Sequence, residues 1–186
     1  MSNRGCLVAS PDSQRPKIIA ETADFIPLMW PSLLTSGDIS ASGCIGEFEL
    51  NRIECIDRIA ARVPLFIQAF EDIGDLRQFA DALVDKLRSK RSKTIGLDIT
   101  DLVPREDGIV PPLDLAIAAI ESDDPSYKVT IPARTVENPY LGDTTTIAEQ
   151  KFDSFRDVLL NVCMVTERDL QNSGTDALRE WFIGEI

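Results

Sequence analysis

The chain has 186 residues, 44% of them hydrophobic and 27% charged, with a formal net charge of −12 at pH 7. That length and balance suit one soluble domain with a real core. The charge repels nucleic-acid phosphates and anionic lipid head groups, so neither nucleic acid nor membrane is expected as a partner, whereas a basic protein is favoured.

Residues 1 to about 15 are polar and carry Pro11 and Pro16, which reads as a poorly ordered lead-in to a single globular domain over 16–186. The opening MSNRGCLVASPDSQRPK lacks the apolar core and cleavage pattern of a secretory leader, so a cytoplasmic location is expected. Next come KIIAE (17–21) and FIPLMW (25–30), both short, apolar and strand-like. Between Phe25 and Leu34 only Ser32 is frankly polar, but the run is too short to cross a bilayer and is broken by Pro27 and Pro31. The prolines predict a sheet edge or an irregular buried segment, with Phe25, Ile26, Leu28, Leu33 and Leu34 as core. TSGDISASGCIG (35–46) reads as a loop.

From Asn51, apolar residues at Ile53, Ile56, Ile59, Ala60, Val63, Phe66, Ile67 and Phe70 recur at steps of three and four, predicting a core-facing helix. Pro64 cannot donate to the carbonyl of Ala60, so a bend or break is expected there. A second helix should start at Asp75 and bury Leu76, Phe79, Ala80, Leu83, Val84 and Leu87. TIGLDIT (94–100) has the period-two alternation of a strand. Beyond the VPREDGIVPP loop, LDLAIAAIES (113–122) reads as a buried helix and YKVTI (127–131) as another strand, the outline of a parallel βαβ unit. TIAE (146–149) has capping-box spacing and predicts a helix start, with Phe152, Phe155, Val158 or Leu159, Val162 and Cys163 inward. A last helix should begin near Thr175 and bury Leu178, Trp181 and Phe182.

The fold expected is therefore α/β: a small three- or four-stranded sheet with at least one parallel βαβ pair, covered by four or five helices, with α+β as the alternative.

The chain has no histidine, which excludes Ser-His-Asp and Cys-His nucleophile systems and histidine metal ligation. There is no GxxxxGK[ST], and GCIG (43–46) does not match a dinucleotide loop. The remaining catalytic candidates are Asp98 and Asp101, a D-x-x-D pair at the end of the best strand that could hold Mg²⁺ or exchange protons. A solvent-facing strand residue and a loop cap explain the same pair more simply, and no cofactor or metal site is predicted. ESDD (121–124) lacks the EF-hand ligand spacing and reads as a solvated helix end. KLRSKRSK (86–93) is basic, which suits the negative end of a helix dipole. The cysteines Cys6, Cys44, Cys55 and Cys163 form no CxxC pair, and Cys55 and Cys163 sit in helical patterns as small core residues. Trp30 and Trp181 are either core anchors or partner-contact residues.

Charge and the missing catalytic apparatus favour a non-catalytic protein-interaction domain, one that masks a basic partner as a toxin-neutralising immunity protein does. The rival is a histidine-free enzyme or small-ligand binder using carboxylates with a divalent metal. A third reading is a homo-oligomeric structural protein.

Overall fold

In the computed structural model of the chain, residues 3–9, 17–41, 46–102, 113–137 and 144–185 are described. A four-stranded antiparallel sheet holds β1 (Arg4–Ala9), β2 (Lys17–Ala23), β3 (Glu47–Asn51) and β4 (Thr94–Asp98) in the order β2-β1-β4-β3. Two small antiparallel ribbons pair β5 (Val129–Ile131) with β8 (Gln150–Phe152) and β6 (Arg134–Glu137) with β7 (Thr144–Ile147). Seven α-helices complete the described residues: α1 (Ser36–Ala41), α2 (Arg52–Ala69), α3 (Leu76–Arg88), α4 (Leu113–Glu121), α5 (Phe155–Cys163), α6 (Glu167–Gln171) and α7 (Thr175–Ile183). This is an α+β arrangement.

The expected parallel pair is not found among the described strands. Both edges of β4 are filled, by β1 and β3, so the strand beyond α4 cannot reach it and joins β8 instead. The lead-in reading also needs correction, because Arg4–Ala9 is an interior strand whose Leu7 and Ala9 are buried; residues 10–16 lie outside the described part.

α2 begins where Asn51 Oδ1 accepts from the amides of Ile53 and Glu54, an N-cap that ends β3 and starts the helix in one residue. It then runs through Pro64 without a break. Ala60 and Pro64 both face solvent, so the carbonyl that loses its intrahelical donor lies on the wet side. Ile53 faces solvent too, 60% exposed, although its spacing placed it inward. α3 buries the six residues its periodicity picked out. TIAE starts no helix: Thr144–Ile147 pairs with Arg134–Glu137, and α5 begins later, where Ser154 Oγ accepts from the amide of Asp157. A capping box occurs instead at Thr166 and Asp169, at the start of α6.

The apolar segment around Trp30 is neither strand nor surface. Phe25 to Leu34 are all buried, with a 3-10 helix at Trp30–Leu33. A buried irregular segment must still satisfy its backbone. Here α7 does so from one side, with the amides of Leu28 and Met29 donating to the carbonyls of Trp181 and Phe182 at 2.9 Å each. From the other side Arg62 donates to the carbonyls of Ser32 (2.5 Å) and Leu34 (2.7 Å), and Arg58 to that of Leu33 (2.6 Å) and to Asp38 (2.7 Å). Ser36–Ala41 is helical rather than loop, with Asp38 accepting from the amide and hydroxyl of Thr35 at its start. VPREDGIVPP (103–112), residues 138–143, Cys44 and most of GCIG lie outside the described residues.

Candidate functional site

The four-stranded sheet has an inward face and an outward one. Side chains alternate between faces along a strand. Leu7, Ala9, Ala20, Phe48, Leu50, Ile95 and Leu97 point into the core and are at most 8% exposed. Their neighbours point out, and register aligns them across all four strands. Cys6 stands opposite Glu21 on one side and Asp98 on the other, and Asp98 stands opposite Glu47. One transverse row therefore reads Glu21, Cys6, Asp98, Glu47. With strands about 4.8 Å apart, it spans about 14 Å.

The next outward row reads Ile18, Val8, Gly96, Glu49. A β-bulge makes this possible. Leu7 pairs with Ala20 but Val8 pairs with Ile18, so Ile19 is an extra residue in β2. Strict alternation from Ala20 would bury Ile18 and expose Ile19; the bulge does the reverse, leaving Ile18 55% exposed and Ile19 1% exposed. The face thus carries exposed Ile18 and half-buried Val8 beside four carboxylates, Glu21, Glu47, Glu49 and Asp98, while Gly96, between Val8 and Glu49, is itself buried. Arg4, exposed and opposite Ala23, is a cation at its far corner.

Backbone geometry fixes the end of this row. Gly46 has φ +93°, and a Cβ there would meet Thr100 Cα at 2.8 Å, so the chain enters β3 through a turn that only glycine fits. Asp98 Oδ1 accepts from the Thr100 amide at 3.0 Å, which turns the chain out of β4 and holds the carboxylate at the strand end. The juxtaposed charges are felt by Cys6: burial first, then Asp98 and Glu21, push its thiol above the ordinary value, so it stays protonated at neutral pH.

Of the residues singled out from sequence, Asp98 lies on this face, while Asp101 follows it as an exposed turn residue. Among the described residues no three His, Cys, Asp or Glu side chains gather as a metal-binding set. The tryptophans belong elsewhere. Trp30 is 0% exposed and its indole N–H donates to the carbonyl of Ile183 at 3.1 Å, so in this fold its side chain offers nothing to a partner. Trp181 is partly buried, 4.3 Å from the Phe25 ring centroid, with its N–H on Ser173 Oγ at 3.1 Å. Both tryptophans fasten α7 to the segment between Phe25 and Leu34.

Glu21, Glu47, Glu49, Cys6 and Ile18 were not picked out from sequence. The legible signal was EFEL at 47–50, an alternation of acid and apolar residues that announces a strand with one charged face.

No helix among the described residues is long and apolar enough to cross a membrane. No family model matches the chain, and neither a curated protein nor a solved structure matches it.

Proposed function

We propose that this chain is a non-catalytic, acidic interaction protein that receives a basic protein on the outward face of its sheet and masks it, in the manner of an immunity protein. The observation that carries the reading is the outward row Glu21, Cys6, Asp98, Glu47 with Glu49 in the next row, four carboxylates that strand register gathers on one sheet face. A cationic partner meets a complementary surface there and gains rate from the −12 field.

The test compares the wild-type chain with the quadruple variant Glu21→Gln, Glu47→Gln, Glu49→Gln, Asp98→Asn, both immobilised and offered the same native lysate. The expected result is a basic protein retained by the wild type, released as salt rises and absent from the variant. Equal retention by both would remove the face from the reading. A melt in Mg²⁺, Mn²⁺ or Ca²⁺ that stabilised the chain clearly would favour a carboxylate metal site instead.

A further inference from the structure

The same face carries more than charge, and the combination narrows what can sit on it. Interfaces place an apolar centre inside a polar or charged rim, and Ile18 with Val8 forms such a centre beside the carboxylates. Most exposed isoleucines need no explanation. Ile18 differs because an inserted residue turns it outward while its neighbour Ile19 is fully covered. A second copy of the chain is a poor occupant, because it would bring four more carboxylates against these four. Nucleic acid is repelled for the same reason.

Resting on the reading above, we infer that the outward sheet face recognises a cationic and amphipathic protein segment, in which an aliphatic side chain seats on Ile18 and Val8 while flanking lysines or arginines meet Glu21, Asp98, Glu47 and Glu49. Charge then supplies the encounter, and the isoleucine supplies discrimination between this partner and any other polycation. Arg4 at the corner sets the limit of the cationic footprint, since a basic side chain placed over it would be repelled.

The experiment uses the full chain and two synthetic probes of equal positive charge: a peptide alternating lysine and leucine, and an oligolysine. Affinities come from titration calorimetry and the footprint from amide shifts. The alternating peptide should bind about five- to tenfold more tightly than oligolysine, the range expected from covering half an isoleucine side chain. Shifts should centre on Cys6, Val8, Gly96 and Glu49. Ile18→Ser, at an exposed site that folding does not need, should erase the preference and leave oligolysine binding unchanged. If both peptides bind equally and Ile18→Ser alters neither, the inference is wrong while the acidic reading stands. If neither peptide binds at low salt, both fall.

Discussion

The indole N–H of Trp30 donates to the main-chain carbonyl of Ile183, joining positions 153 residues apart in sequence. Next to that carbonyl, Gly184 has φ +80°, and a Cβ there would meet Glu21 O at 2.9 Å and Trp30 Cζ2 at 3.1 Å. Glu185 then exchanges two backbone hydrogen bonds with Glu21, at 3.0 and 2.8 Å. The end of α7, the buried segment and β2 meet at one joint.

That joint is intolerant of change. Trp30→Phe leaves the Ile183 carbonyl without its donor in a dry site, a loss of about 1–3 kcal/mol. Gly184→Ala adds a side chain to a left-handed residue with no room for it and should cost at least about 1–3 kcal/mol. Urea melts of both variants measure the losses; an unchanged midpoint for Gly184→Ala would show that the joint is loose.

Neutralising Asp98 should stabilise the fold. Asp98→Asn removes a carboxylate from a row that also holds Glu21 and Glu47, and the asparagine side chain keeps the oxygen that the Thr100 amide needs. The expected gain is about 0.2–1 kcal/mol, about 1–4 °C in Tm, shrinking as salt is added. Calorimetric scans at low and high ionic strength read it directly. A lower Tm would mean that the Asp98 carboxylate serves stability at the strand end.

Cys6 reports the field on this face. Burial is the larger cause of its raised pKa, followed by Asp98 and Glu21. Asp98→Asn should therefore lower the pKa and speed alkylation near pH 8. The measurement belongs in a Cys44→Ser background, with mass spectrometry to locate the label. Cys55, pushed up to about 12, and fully buried Cys163 should stay unlabelled until the chain unfolds.

On α5, Arg156 bridges Asp72 and Glu167, donating to Glu167 at 2.7 Å, and stacks 4.8 Å over the ring of Phe70. Its hydrogen bond holds the Asp72 carboxyl below the usual range. A depressed folded-state pKa contributes stability that is fully present above the unfolded value near 3.9 and is lost as pH falls through the folded one. Arg156→Met should thus lower stability at pH 7, and the gap from wild type should narrow below about pH 4. Melts from pH 3 to 7 test the sign; a gap that widened in acid would contradict it.

Helices α2 and α3 were legible because apolar residues every three or four positions admit one buried face, and Leu76 to Leu87 have no rival arrangement. The sheet was less so. Strand order depends on which edges are free, and nothing local in TIGLDIT reveals that β1 and β3 occupy both sides of it. RGCLVA reads as part of a polar, proline-bearing lead-in because MSN before it and SPDSQRP after it are polar, and its outward Cys6 and Val8 are apolar and blur the alternation of a strand. TIAE matched a cap pattern, yet its run of threonines favoured the strand it forms. Asp98 was found at the right strand end, but its neighbours on the face came from three other strands and could not be assembled from spacing.

The bulge at Ile19 has a second effect. β2 lies at the rim of the sheet, where a regular row of amides and carbonyls invites another chain to pair. The inserted residue breaks that row, Lys17 adds a charge beside it, and Glu185 occupies the stretch at Glu21. The deformation that turns Ile18 outward also guards the rim, so the face can carry an exposed apolar side chain while the edge resists pairing with another chain.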